Sequence, residues 1–278
     1  MTSLDSHHQT WRRFLALLMA VFLCLAADVL ATEDAETWSE PYPGVRYLTA
    51  ERTEGPNRIH ALFIDLDHPA PSFTVNRPED RGMEASEFAE AYDVEIAVNG
   101  GFYDVANHNP IGLTMGEGAF WEDSRDYKSY GYVAFGDGNR VEISTPAEIL
   151  DEPEPWMQHI VSGTPLLIED GEIIVEDGGN NLARKHPRTA IGLDEDGRTL
   201  ILVVVDGRWP GQSHGMSLTE LADLMKDLGA HRALNLDGGG STTLYIRNAD
   251  GVVNRPSGGS ERAVSNLLGV RIDTNQED

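Results

Sequence analysis

The feature that most constrains the fold of this chain is a series of short strand-like runs joined by tight-turn signals. Asp-Gly pairs between apolar runs are the strongest short-range hairpin signal, and two of the runs contain one. They therefore predict antiparallel pairing. The runs are rich in β-branched or aromatic residues and cover residues 58–66, 95–100, 131–136, 164–175, 189–207, 232–237, 242–247 and 267–272.

Two helices are predicted among these strands. Ser217 and Glu220 form a capping-box pattern ahead of leucines at near-helical spacing, and Gly229 closes the helix. A second helical pattern covers residues 84–92. Strands with a minority of helices predict an α+β fold, with one mixed, largely antiparallel twisted sheet and a few helices packed on it.

The N-terminus has the pattern of a secretory signal peptide. Two arginines precede an apolar run over residues 14–27, and small residues follow near Ala31. The run is shorter than the ~20 residues of a membrane-spanning helix. We therefore expect a signal peptide over residues 1–31, one mature domain over 32–278, a secreted or periplasmic location, and no stable membrane insertion after cleavage.

Composition and charge limit the partners of the mature chain. A net charge of −25 makes nucleic acid and anionic membrane surfaces poor partners. The single cysteine, Cys24, lies in the apolar N-terminal run, so no disulfide and no thiol nucleophile are expected in the mature domain. No cofactor is expected, since no zinc motif occurs in the mature chain. Calcium held by scattered aspartates stays open, although the sequence has no EF-hand loop.

Three apolar runs end in the same way. The sequences VNGGFYD, VVVDGR and LNLDGGGST reach Asn99, Asp206 and Asp237, and each of these residues is followed by glycine. Each end is a turn former and could be an isolated turn. The alternative is that Gly-rich strand-end loops meet at one edge of the sheet and form a site, where glycine exposes main-chain N–H groups to an anion. The repetition favours the common site.

Charged residues near these ends supply the rest of the predicted site. Arg188 and Arg262 would provide positive charge, while Asp and Asn side chains would orient hydroxyls or move protons. Surface ion pairs are the other interpretation of the two arginines. The GGGST sequence lacks the lysine of a phosphate-binding P-loop. The GQSHG sequence at 211–215 lies too far from its strand for a nucleophile elbow.

The order of the motifs resembles the phosphodiester glycosidase family. The resemblance covers residues 95–272 and rests on VNGGFYD, SGTPLLIEDG, HPRTAIGLDEDG, VVVDGR, LNLDGGGSTTLY and NRPSGGSERAVSNLLGV. Residues 32–94 resemble the family only loosely. His214 stands where a small or hydroxyl residue is expected. The resemblance implies a glycan or sugar-phosphate substrate and hydrolysis of a sugar-1-phosphodiester to free sugar and phosphomonoester.

The resemblance also implies roles for the candidate residues. Asp206 and Asp237 are the catalytic candidates, as base, nucleophile or stabiliser of an oxocarbenium ion. Carboxyls about 5–5.5 Å apart would indicate retention, and about 6.5–9.5 Å inversion. The substrate-binding candidates are Asn99, Gly100, Asp104, Arg188, Thr189, Gly238, Gly239, Ser241, Thr242 and Arg262.

Two rival functions stay open. A non-catalytic glycan- or phosphate-binding protein of the cell envelope would need the glycines and arginines but no acid pair. A glycosidase acting on unphosphorylated polysaccharide would need the acids but no arginine.

Overall fold

The structure, a computed structural model, describes residues 34–125, 129–146, 150–176 and 183–274. The predicted signal peptide lies outside the described residues, and the domain boundary at residue 32 stays a prediction. Among the described residues, no helix combines the length and apolarity needed to cross a membrane.

Within these ranges the chain forms twenty short strands and two α-helices. The strands are β1 (Ala35–Tyr42), β2 (Val45–Arg52), β3 (Asn57–Asp65), β4 (Pro71–Val75), β5 (Ile96–Asn99), β6 (Tyr103–Asp104), β7 (Asn109–Pro110), β8 (Met115–Gly116), β9 (Ala119–Phe120), β10 (Gly131–Gly136), β11 (Val141–Ile143), β12 (Met157–Gly163), β13 (Leu166–Glu169), β14 (Glu172–Ile173), β15 (Arg188–Leu193), β16 (Thr199–Val205), β17 (Arg232–Asn235), β18 (Leu244–Ile246), β19 (Gly251–Val252) and β20 (Leu267–Ile272). The α-helices are α1 (Ala85–Ala91) and α2 (Leu218–Asp227).

The strands form three larger sheets and one small ribbon. The largest sheet has the order β1-β2-β3-β16-β15-β17-β13-β14, and the two five-stranded sheets are β11-β10-β12-β8-β9 and β19-β18-β5-β20-β4. Every pairing among the described strands is antiparallel. The prediction of largely antiparallel strands is therefore confirmed. The prediction of one mixed sheet is wrong, because the chain leaves one sheet for another at several of the short strand ends.

Local signals in the sequence correspond to the observed turns and caps. The Asp-Gly hairpins join β13 to β14 and β15 to β16, and Gly197 takes a left-handed φ of 67° in the second turn. In α2 the Ser217 hydroxyl accepts from the Glu220 N–H at 3.1 Å, and the Glu220 carboxylate accepts from the Ser217 N–H at 2.8 Å. Gly229, just after the end of α2, takes a left-handed φ of 96°. The predicted capping box, the closing glycine and the two hairpins are therefore confirmed.

The largest sheet is buried on both faces in its centre. Leu202 and Val204 of β16 pack into the core shared with the two five-stranded sheets. Ile201 and Val203 pack against α2 on the opposite face. A strand buried on both sides needs apolar residues at every position, which explains the unbroken ILVVV sequence of β16. The strands of this buried centre end at the positions where the candidate site lies.

Candidate active site

The ends of strands from two sheets meet at the predicted edge. Asn235 at the end of β17 pairs with Ala190 of β15, so the start of β15 lies beside the residues that follow β17. The Leu236 N–H donates to the Thr189 carbonyl at 2.9 Å. The Asp237 N–H donates at 3.1 Å to the carbonyl of Gly100, which follows β5 of the neighbouring sheet. The segments around Thr189, Asp237 and Asn99 therefore converge.

The side chain of Asn99 joins these segments. Its amide nitrogen donates to the Asp237 carbonyl at 2.6 Å, and more weakly to the Gly100 carbonyl at 3.4 Å. Its oxygen accepts from the Thr189 hydroxyl at 2.8 Å and from the Thr243 N–H at 3.2 Å. These bonds use all four hydrogen-bonding positions of the amide. Asn99 and Thr189 therefore position Asp237, and their bonding gives no support to the predicted contact with substrate.

Asp237 is the partly buried acid at this junction. Its carboxylate accepts from the Gly238 N–H at 2.9 Å. Burial raises the pKa of Asp237 to about 6, while the Ser241 hydroxyl, the Gly238 N–H and the Arg262 guanidinium oppose that rise. The Ser241 hydroxyl lies close enough to affect the carboxylate, although it makes no hydrogen bond within 3.5 Å. Asp237 is thus a carboxylate that changes charge near neutral pH.

Two arginines reach the glycines that follow Asp237. A side chain at Gly240 would overlap the guanidinium of Arg262, and a Cβ at Gly239 would lie 2.9 Å from the guanidinium of Arg208. Gly239 also has a left-handed φ of 64°. The absence of side chains at these two positions therefore lets two guanidinium groups approach the backbone beside Asp237.

The N–H groups of three predicted site glycines, Gly100, Gly238 and Gly239, donate to acceptors within the protein. The Gly100 N–H donates to the Asn266 carbonyl, and the Gly239 N–H to the Pro187 carbonyl, each at 2.9 Å. The Gly238 N–H is used by the Asp237 carboxylate. These three donors are therefore already used within the protein, and the nearest positive charges are those of the arginine side chains.

Arg188 lies next to this cluster but is largely committed to the backbone. Its guanidinium donates to the Met216 carbonyl at 2.8 Å and to the Arg184 carbonyl at 2.9 Å. Burial, together with the smaller effect of the positive charge of Arg208, lowers the pKa of Arg188 to about 10. Arg188 therefore adds positive potential while it holds the loop that precedes β15.

The structure also shows two nearby residues that sequence reasoning did not assign to the site. An Arg208 guanidinium nitrogen lies 3.2 Å from His186 Nδ1. Burial and the positive charges of Arg208 and Arg188 lower the pKa of His186, which favours the neutral ring. The signal for Arg208 was its place two residues after Asp206, at the end of β16. His186 precedes β15 by two residues and had no comparable signal.

Asp206 lies apart from this cluster in its bonding. Its Oδ1 accepts from the Arg255 N–H at 2.8 Å and from the Asn254 amide at 3.2 Å. Burial raises the pKa of Asp206, and the charged groups that oppose the rise are Arg58 and Arg255. The charged group that acts on Asp237 is Arg262. The two predicted catalytic carboxylates therefore have separate charged neighbours.

The remaining candidates divide into exposed and buried positions. Asp104 is exposed, and its carboxylate accepts from the Ala106 N–H of its own loop at 2.9 Å. Ser241 and Thr242 are buried, as is the adjacent Thr243, which was not a candidate, and the hydroxyls of all three have no hydrogen-bond partner among the described residues. In the same ranges, no three His, Asp or Glu side chains gather closely enough to hold a metal ion. The cofactor expectation stays untested.

Comparison with known proteins identifies the family. The family model of phosphodiester glycosidases matches residues 92–271. The chain belongs to the phosphodiester glycosidase family. Among curated members, the N-acetylglucosamine-1-phosphodiester α-N-acetylglucosaminidase of Mus musculus is 26% identical over 242 residues, which are 77% of this chain and 46% of the relative. The Homo sapiens enzyme of the same name is 28% identical over 238 residues, covering 76% and 45%.

The family likeness extends to solved structures. The catalytic domain of the zebrafish enzyme of that name, described as auto-inhibited by its pro-peptide, matches with a TM-score of 0.65 and 21% identity. The match covers 86% of this chain and 88% of that domain. A hypothetical protein from Synechocystis matches with a TM-score of 0.61 and 18% identity, over 86% and 64%. These likenesses show a shared fold, and the chain spans about half the length of the curated relatives it matches.

Proposed function

We propose that the protein hydrolyses a sugar-1-phosphodiester and releases free sugar and a phosphomonoester. The observation that carries the proposal is the partly buried Asp237 carboxylate, with Arg262 and Arg208 against the glycines that follow it. A chain with a net charge of −25 repels anions at long range, but beyond a Debye length of about 8 Å that repulsion is largely screened. The local cations therefore decide what the site binds.

The proposed reaction divides the work between the cations and the carboxylate. The bond between sugar C1 and the phosphate oxygen breaks, and the phosphate leaves with the electron pair. Arg208 and Arg262 stabilise the negative charge that gathers on the phosphate. A phosphomonoester has a second pKa near ~6, so it leaves with little help from a proton donor.

Asp237 acts on the sugar side of that bond. As an ionised carboxylate it stabilises positive charge at C1 or activates the attacking water. Asn99, which is itself held by the Thr189 hydroxyl, fixes the backbone carbonyl of Asp237. The pairing of Asp237 with Asp206 stays a prediction, since the two acids have different charged neighbours.

The substrate class follows from the relatives, whose name specifies an N-acetylglucosamine 1-phosphodiester. The test is the release of N-acetylglucosamine from the methyl phosphodiester of N-acetylglucosamine 1-phosphate. Wild type should release the sugar. Asp237→Asn should slow the release by about 10²–10⁴-fold, while the exposed turn variant Asp196→Asn serves as the matched control.

Two results would contradict the proposal. Binding of the phosphodiester without release of sugar by wild type would indicate a binding protein. Cleavage of a neutral polysaccharide at the same rate in wild type and Arg262→Ala would indicate a glycosidase with no need for phosphate.

We also propose that the mature protein is exported, because residues 14–27 follow two arginines and precede small residues near Ala31. N-terminal sequencing of the protein recovered outside the cytoplasm should begin near residue 32. An intact N-terminus would contradict this proposal.

A further inference from the structure

A second polar cleft surrounds Asp206. It has a volume of about 410 Å³, within the ~300–1,000 Å³ range of small-molecule sites. Strands β2 and β3 form one wall, and the segment around Asn254 forms another. The residues that supply polar groups to its lining are Thr37, Thr49, Glu51, Arg58, His60, Asp206, Asn254 and Arg255.

Asp206 is the buried polar group of this cleft, with 2% of its surface exposed. Both hydrogen bonds to its carboxylate go to Oδ1, from the Arg255 N–H and the Asn254 amide. Among the described residues no hydrogen bond goes to Oδ2, which is not one of the fully enclosed unpartnered atoms and so reaches the surface of the cleft. A buried carboxylate is costly to keep in a fold unless its oxygens are satisfied. Oδ2 is therefore an acceptor that a ligand hydroxyl can use.

The charges around the cleft are balanced. Glu51 pairs with Arg58 at 3.1 Å, and Asp206 is acted on by Arg58 and Arg255. The Arg255 guanidinium is held in place by Gln212 at 2.6 Å and by the Trp209 ring, whose centroid is 3.5 Å away. An anion entering the cleft would meet two carboxylates, and a cation would meet two arginines. The charge pattern therefore favours a neutral ligand.

A neutral histidine contributes to the same wall. Tyr47 Oη lies 2.6 Å from His60 Nδ1, and burial lowers the pKa of His60 to about 4. If the hydroxyl donates to Nδ1, the ring carries its single proton on Nε2. The cleft thus mixes donors from His60 and the arginines with acceptors from the carboxylates and the hydroxyls of threonine.

We infer that this cleft binds a neutral glycosyl unit of a glycan. Sugar hydroxyls each donate and accept, so they match a wall of mixed donors and acceptors without net charge. The cleft is coupled to the candidate active site through Asn254, whose amide also donates to the Thr242 carbonyl at 3.2 Å. The inference does not depend on hydrolysis, because a sugar can bind here whether or not Asp237 is catalytic.

Saturation-transfer NMR on the full mature protein tests this inference, with methyl α-glucoside, methyl α-mannoside and N-acetylglucosamine as the probes. At least one should bind, and its Kd should rise about tenfold or more in Asp206→Asn, which loses a charge-assisted hydrogen bond. Asp237→Asn should bind the same sugar within twofold of wild type. Thr49→Val, which removes one hydroxyl at nearly constant volume, should weaken binding to a smaller extent.

Either of two results would overturn the inference that the cleft binds a sugar. Failure of all three sugars to bind the wild type would end it. So would an affinity that falls in Asp237→Asn and not in Asp206→Asn, since the sugar would then occupy the candidate active site. Thermal unfolding of each variant shows that the fold is retained, and loss of hydrolysis with intact sugar binding would contradict only the proposed function.

Discussion

Two segments with similar sequences, Asn-Gly-Gly at residues 99–101 and Asp-Gly-Gly-Gly at residues 237–240, use their glycines differently. In the Asn-Gly-Gly segment, a side chain at Gly100 would overlap the Asn266 side chain, and one at Gly101 would overlap the Ser162 backbone. These glycines allow two pieces of the fold to pack closely.

In the Asp-Gly-Gly-Gly segment, the atoms that approach the last two glycines are the ends of arginine side chains. Arg208 faces Gly239 and Arg262 faces Gly240. A glycine after a strand end can therefore serve either packing or access of a charged group. The residue that packs against the glycine decides between these two roles, and that residue comes from a distant part of the sequence.

Exchanging the two polar residues that open the segments should have the largest effect on stability. Asn99 is 1% exposed, and its amide donates to the Asp237 carbonyl. In Asn99→Asp a buried carboxylate would replace that donor and face a carbonyl oxygen. We expect the free energy of unfolding in urea to fall by about 3–5 kcal/mol, the cost of an uncompensated buried charge.

The reciprocal exchange is the matched control. Because burial raises the pKa of Asp237, its ionised form destabilises the fold at neutral pH. Asp237→Asn should therefore be at least as stable as wild type, although it loses activity. An Asn99→Asp variant with wild-type stability and no activity would show that Asn99 acts on substrate and does not join the sheets.

Adding one methyl group to each segment distinguishes a glycine needed for close backbone packing from a glycine needed for the approach of an arginine side chain. Gly100→Ala would press against Asn266, including its backbone oxygen at 2.9 Å, so we expect a loss of about 1–3 kcal/mol in the free energy of unfolding. Gly240→Ala would displace only the flexible end of Arg262. It should lower kcat/KM about tenfold and change stability by less than ~1 kcal/mol.

Gly258→Ala controls for the methyl group itself, because its nearest atom would be the Ser260 carbonyl oxygen at 3.9 Å. It should match wild type in urea unfolding. Equal losses of stability in Gly100→Ala and Gly240→Ala would contradict the distinction between the segments.

Local features of the fold could be predicted from the sequence, because their causes lie within a few residues. The hairpin at Gly197 and the cap formed by Ser217 and Glu220 are examples. The edge strand β1 was missed. Most of its residues are exposed, so it lacks the apolar pattern by which a buried strand is recognised.

The candidate site was harder to predict, because its geometry depends on which sheet each strand joins. Asp206 and Asp237 look alike in sequence, since each follows an apolar strand and precedes glycine. In the structure Asp206 accepts a hydrogen bond from Asn254, whereas Asp237 is influenced by the positive charge of Arg262. Arg208 reaches Gly239 only because two separate loops meet there. No spacing rule in the sequence carries that information.

The pH dependence of the reaction tests the ionisation of Asp237 in the Asp-Gly-Gly-Gly segment. A carboxylate that acts as base, nucleophile or charge stabiliser works only when ionised. With the pKa of Asp237 raised to about 6, kcat/KM should fall about tenfold between pH 7 and pH 5. A rise of kcat/KM over the same interval would instead assign Asp237 the role of proton donor.

The same pH profile in Arg262→Gln identifies the group that titrates. Arg262 lowers the pKa of Asp237, so its removal should move the acid limb to higher pH. The positive charges that act on His186 are Arg208, Arg188 and Arg184, so a limb caused by His186 should stay in place. In Asp206→Asn the limb should also persist, because that acid has different charged neighbours. An acid limb that moves only in Asp206→Asn would transfer the catalytic role from the Asp-Gly-Gly-Gly segment to the end of β16.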